Sequence, residues 1–200
     1  MSQSLLFAFV VFSAVMAFTP GPNNIMLLSS GVTYGFRRTV PHVVGITFGL
    51  AFMVGAVGFG LGAVLLTYPL LQILLKYAGA AYLIYLAAMI AMSGPAKSEQ
   101  GHERGPMTFW GAAMFQWINV KGWVMVIGAI TAYAAISSYP WNILIQAAIT
   151  FIVAAVSTTT WALFRTALRP VLTSERLVRA FNIVMALLLL ASLYPVFADA

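Results

Sequence analysis

The chain has 200 residues, 62% of them hydrophobic and 7% charged, with a mean hydropathy of +0.97; a soluble domain carries about 25% charged residues, so a water-soluble globular protein is excluded. Ten Lys and Arg against four Asp and Glu give a net charge of +6, yet the cations are spread along an apolar chain rather than gathered on one solvated face, which argues against a nucleic-acid partner. The lack of Cys excludes disulfides, thiolate metal sites and cysteine nucleophiles.

About 20 apolar residues cross a bilayer core as a helix. The charge-free stretches predict six transmembrane helices, at 4–31, 41–66, 71–92, 108–135, 141–164 and 179–197. Connectors at 33–40, 67–70, 93–107, 136–140 and 165–178 are short, so successive helices are antiparallel. The runs are too long for barrel strands, which need about 9–11 residues. The first run is read as a retained helix rather than a secretory signal, because no Lys or Arg precedes it and hydrophobicity resumes after Asn24.

Helix 1 is interrupted by Thr19-Pro20-Gly21-Pro22-Asn23-Asn24. Two prolines around a glycine end one half-helix and begin another, with Pro22 suited to the first turn of the second piece. Irregular backbone at membrane depth is tolerated where protein or water satisfies it. Such a break exposes amide N–H groups and a positive dipole end that attract a carboxylate, and Asn23 and Asn24 add side-chain donors and acceptors. A packing kink is the plainer alternative. Helix 2 carries Gly45/Gly49 and Gly58/Gly62 at a spacing that lets helix backbones approach closely.

In helix 4 the interruption is Gln116-Trp117-Ile118-Asn119-Val120-Lys121-Gly122. Lys121 sits near the centre of an otherwise uncharged run, where a lysine costs about 2.5–3.5 kcal/mol on insertion scales. It is expected to face the bundle interior or a wet cavity. The carboxylates Glu99, Glu103, Glu175 and Asp199 all lie in connectors or the tail, so the missing partner of Lys121 is a candidate ligand. Trp117 and Trp123 either shape the pocket or pack. In helix 5, Ser157-Thr158-Thr159-Thr160 either bond their own preceding turn or line the cavity. Helix 6 is apolar all round over 185–190 and is expected to face lipid.

Orientation follows the cations. Arg37, Arg38, Lys97, Arg104, Arg165, Arg169, Arg176 and Arg179 fall in or beside the three odd-to-even connectors, and Lys76 alone lies opposite. Those connectors then face the cytoplasm and both termini face outward. Trp110, Trp141 and Trp161 near helix ends read as interfacial anchors, with Tyr68 and Tyr139 at the outer turns. The fold expected is a single all-α membrane domain over 1–200, with half-repeats 1–92 and 108–197 joined by connector 93–107. Three helices per half make the second half enter from the opposite side, a 3+3 inverted repeat with interrupted helices 1 and 4, as secondary transporters use.

An enzyme is not expected. The spans hold no Asp or Glu for acid–base or metal chemistry, and His42 and His102 lie at a helix edge and in a loop, away from any Gly-x-Ser-x-Gly elbow. No metal or cofactor is expected either. With no carboxylate in the spans, any coupling proton must ride on Lys121 or on the substrate.

Pro20-Gly21-Pro22-Asn23 with Gly31 and Gly35-Phe36-Arg37, the stretch from Ala78 to Leu86 (Ala-Gly-Ala-Ala-Tyr-Leu-Ile-Tyr-Leu), and Asn119-Val120-Lys121 together resemble the LysE/RhtB family of amino-acid exporters. The resemblance covers nearly the whole chain. It implies efflux of amino acids or close derivatives across the bacterial inner membrane, driven by the proton gradient. Many members carry Asn-Pro-Lys where this chain has Asn-Val-Lys, a departure similar to the branch exporting cysteine and O-acetylserine. Homoserine, threonine or another small neutral amino acid is the nearest alternative. The expected site holds a zwitterion: Pro20, Gly21, Pro22 and Lys121 around its carboxylate, Asn23, Asn24, Gln116 and Asn119 with freed carbonyls around its ammonium. Its partners are the amino acid, protons and membrane lipid. An uncoupled channel or pore for small solutes is the alternative.

Overall fold

In the computed structural model, residues 2–92, 105–168 and 174–194 are described, and their regular structure is helical throughout. Two helices, α1 (Gln3–Phe18) and α2 (Pro22–Tyr34), come from the first apolar run and meet at a bend of 53°. Pro20 holds Thr19 in extended geometry (φ −60, ψ 131), which stops α1. Pro22 opens α2 at the one position where its missing N–H goes unused. From Asn24 to Gly31, α2 is buried without interruption, enclosed by α3 (Phe36–Ala56), α8 (Trp141–Leu168) and α9 (Glu175–Ala191).

The expected connector 33–40 shrinks to one residue. Gly35 adopts φ 85, ψ 160, a region that essentially only glycine enters, and this lets α3 follow α2 directly. Arg37 and Arg38 therefore lie exposed on the first turn of α3. At its far end α3 passes into a π turn, Val57–Leu61, where Gly60 (φ 127) kinks the backbone. There follow α4 (Gly62–Thr67) and, after Tyr68 alone, α5 (Pro69–Met92); connector 67–70 is likewise shorter than expected.

The second half opens with α6 (Phe109–Phe115), whose cap Thr108 Oγ1 accepts the Gly111 N–H at 3.1 Å. After a bend of 64° comes α7 (Val120–Ala132). A 3-10 turn, Ala134–Ile136, leads to α8, which runs past the expected end at 164 to Leu168. Ser174 caps α9 by accepting the Leu177 N–H at 3.3 Å, with Glu175 at the positive end of the helix. Lys97, Arg104, Arg169, His102, Glu99, Glu103 and Asp199 lie outside the described residues.

Among the described residues, Phe36–Leu61, Ile73–Met92 and Trp141–Phe164 are long and apolar enough to cross a membrane, and the two bent pairs bring the number to five. Phe7, Phe52, Leu70 and Ile152 point outward, each more than half exposed, as a lipid-facing surface requires. One expectation fails for α9: it is not bare to lipid all round, because Asn182, Met185, Ala186 and Leu189 are buried against α5 and α2. Fully buried Asn182 accepts from Ser29 Oγ at 3.1 Å and donates to Thr33 Oγ1 at 3.3 Å, so one polar residue fixes which face turns inward. Trp110 and Trp141 are exposed at helix ends, but Trp161 is half-buried against Phe164, ring centroids 5.9 Å apart, and packs in the core.

Candidate functional site

The two breaks come together. A Cβ placed on Gly21 would stand 2.7 Å from Lys121 Cδ and 3.0 Å from its Nζ, so the lysine stem lies directly on the glycine and no side chain fits there unless Lys121 moves. Lys121 is half-buried in the first turn of α7. Its ammonium donates to the carbonyl oxygen of Thr19 and reaches that of Pro20 at 3.5 Å, carbonyls that stand at the break between α1 and α2.

Other donors serve the same broken end. Asn24 Nδ2 bonds the carbonyls of Ala17 at 2.9 Å and Thr19 at 2.8 Å, and Ser157 Oγ of α8 donates to Ala17 at 2.8 Å. Asn23 and Gln116 instead clamp the two breaks to each other. Asn23 Nδ2 donates to Gln116 Oε1 at 2.8 Å, and Gln116 Nε2 returns to Asn23 Oδ1 at 3.2 Å while also reaching the Ala112 carbonyl at 2.8 Å. Asn119 precedes α7 as its cap residue but makes no side-chain cap bond. It is 2% exposed, and its Oδ1 has no protein partner among the described residues.

A cavity of about 40 Å³ lies at this junction, walled by Gly21, Asn23, Asn24, Asn119 and Lys121, with Ser157 and Thr158 opposite and Met16, Leu50 and Met125 among its apolar walls. The N-terminal ends of α2 and α7 both open here, each adding positive potential. Glu175, at the start of α9, is the sole carboxylate among the described residues, so no described carboxylate pairs with Lys121, whose ammonium meets only the carbonyl dipoles at the end of α1. Pro20, Pro22 and Gln116 are not in the cavity wall: Pro20 lends a carbonyl to Lys121, Pro22 starts α2, and Gln116, wholly buried, holds Asn23.

Ser157 is the contact that the sequence left open. Thr158 and Thr160 bond their own preceding turn, to Ala154 at 2.7 Å and Val156 at 2.8 Å, whereas Ser157 crosses to α1. The tryptophans pack. Trp123 Nε1 donates to the Trp117 carbonyl at 2.8 Å, their ring centroids are 5.9 Å apart, and neither ring is in the cavity wall.

A model of the LysE type translocator family matches residues 14–192, which hold both breaks, Lys121 and Ser157. The chain belongs to the LysE type translocator family. Relatives named cysteine/O-acetylserine efflux protein, from Escherichia coli strain K12 and from Shigella sonnei, are each 36% identical to it over 135 residues, 66% of this chain and 65% of theirs. The match thus spans just under two thirds of those relatives' length. No solved structure matches the chain. Membership of this family, together with the apolar helices, makes the chain a multi-pass membrane protein.

Proposed function

We propose that the chain is a secondary transporter exporting small amino acids or their derivatives from the cytoplasm across the bacterial inner membrane, in exchange for protons. Cysteine and O-acetylserine are the first substrates to try, on the names of the relatives; homoserine, threonine and other small neutral amino acids follow. The carrying observation is the Lys121 ammonium on the broken backbone of α1, in a cavity with no carboxylate among the described residues to pair with it. A zwitterion supplies what is missing. Its carboxylate takes the donors of Lys121 and the N-terminal ends of α2 and α7. Its ammonium takes over the Thr19 and Pro20 carbonyls that Lys121 now holds, with Asn119 Oδ1 as a further acceptor. In this reading Gly21, Asn24 and Ser157 shape the site, and the Asn23–Gln116 clamp keeps its halves in register.

A site of about 40 Å³ fits a few water-sized spheres at about 10–15 Å³ each, and in this reading it widens around a bound amino acid. That fits alternating access about two half-repeats, 1–92 and 108–197, with α9 as the sixth span, the odd-to-even connectors in the cytoplasm and both termini outside. The test is flux in proteoliposomes. A carrier gives saturable uptake of labelled cysteine or O-acetylserine, counterflow with substrate on both sides, and acceleration by an imposed pH gradient. Unsaturable flux without counterflow would identify an uncoupled pore instead.

A further inference from the structure

A second polar feature leads away from the cavity, and the binding chemistry above does not use it. On α8, Asn142, Gln146 and Thr150 recur every fourth residue, which puts them on one face of the helix. Seven residues beyond Thr150 the same face reaches Ser157, which walls the cavity. On α1, Ser13 lies one turn before Ala17, another wall residue. The two helices run side by side in the same direction, since the Ser2 N–H bonds the Ile136 carbonyl at 3.0 Å near one end and Ser157 bonds Ala17 near the other.

These residues are at most 7% exposed, and Ser13, Gln146 and Thr150 are fully buried. The amide nitrogens of Asn142 and Gln146 cap the carbonyls of Ala134 and Tyr133, each at 3.1 Å. Capping leaves four oxygens, Ser13 Oγ, Asn142 Oδ1, Gln146 Oε1 and Thr150 Oγ1, with no protein partner among the described residues. Buried polar atoms are normally paired, and a purely structural face would carry apolar residues here. At the opposite end of the bundle Ser29, Thr33 and Asn182 bond one another and Ser30 pairs with Thr39 at 3.1 Å, while both ring nitrogens of His42 and the Trp161 Nε1 have no protein partner among the described residues.

We infer that the stripe from Ser157 to Asn142, faced by Ser13, is the route by which solute passes between the central cavity and the membrane face that bears the 136–140 connector, and that it is shut here. The shutter is aromatic. Phe9, wholly buried, stands 5.2 Å ring to ring from Tyr133, and Phe12 stands 5.4 Å from it, beside the Gln146 and Asn142 caps. Unpaired oxygens along the route serve a hydrated solute once the rings part. The inference rests on the carrier reading for what passes, but not for where water reaches.

The chain's lack of Cys makes the test clean. Ser13→Cys and Thr150→Cys are labelled with a membrane-impermeant thiol reagent in vesicles, beside Ser138→Cys on the exposed connector and lipid-facing Val11→Cys and Ile152→Cys. A thiol reacts as the thiolate, which needs water. The route predicts that Ser13→Cys and Thr150→Cys label from the same side as Ser138→Cys, faster than the lipid-facing pair, and faster still when thiol-free substrate such as O-acetylserine drives turnover. Labelling no faster than the lipid-facing pair, or only from the other side, overturns it. Wild-type transport by Lys121→Gln would defeat the binding-site reading while leaving this labelling pattern standing, so the two failures are distinct. Monodisperse purification of each variant and of Thr150→Ser shows that an unlabelled protein is folded.

Discussion

At the scale of single residues, Gly21 and Lys121 form one unit. With a methyl group 2.7 Å from Lys121 Cδ, Gly21→Ala pushes the ammonium off the Thr19 and Pro20 carbonyls. That also moves the ammonium away from the substrate carboxylate it is proposed to meet, and a hydrogen bond to a charged group is worth about 1.5–3 kcal/mol, so transport by Gly21→Ala should fall roughly 10–100-fold in protein that still purifies as wild type. Asn23 and Gln116 make a separate prediction. Gln116→Leu strands the Asn23 amide and should destabilise the protein by about 1–3 kcal/mol, whereas removing both partners is close to neutral. Thermal unfolding in detergent should therefore find the Asn23→Leu/Gln116→Leu double variant nearer to wild type than Gln116→Leu alone. Additive losses would mean that the two amides do not act as a pair.

At the scale of elements, the breaks were the most legible part of the sequence. Proline chemistry dictates where α1 must stop and α2 start, and the bends of 53° and 64° fall at the Pro20–Pro22 and Gln116–Asn119 segments. The turn at Gly35 was harder to read, because a corner of one residue depends on a backbone angle that composition does not encode. Which hydroxyl of the Ser157–Thr160 run leaves its own helix was equally hidden, being set by the rotation of α8 against α1. Asn182 was overlooked inside an apolar helix although a buried amide is itself a facing signal. Of the two spaced glycine pairs, Gly45/Gly49 lies against the backbone of α6, Gly58 meets the Ile143 side chain of α8, and Gly62 meets only Val57 of its own turn. A Cβ at Gly49 would stand 2.8 Å from the Ala113 Cα of α6, while one at Gly55 meets nothing within 4 Å. Gly49→Ala should therefore lower the melting temperature in detergent, and Gly55→Ala should leave it level or raise it, since alanine favours a helix by about 1 kcal/mol over glycine. The reverse order would refute the close packing of α3 on α6.

At the scale of the molecule, the site sits where α1–α2 from one half of the chain meets α6–α7 from the other, so any motion between the halves acts on Lys121 directly. The central claim is that the lysine ammonium recognises the carboxylate of the solute. It is tested most directly by measuring binding of cysteine and of cysteamine, the same molecule without its carboxylate, to wild type and to Lys121→Gln. Wild type should prefer cysteine by roughly 10–100-fold, the worth of a charged hydrogen bond, and Lys121→Gln should lose most of that preference while its affinity for cysteamine changes little. An undiminished preference in Lys121→Gln would contradict the claim.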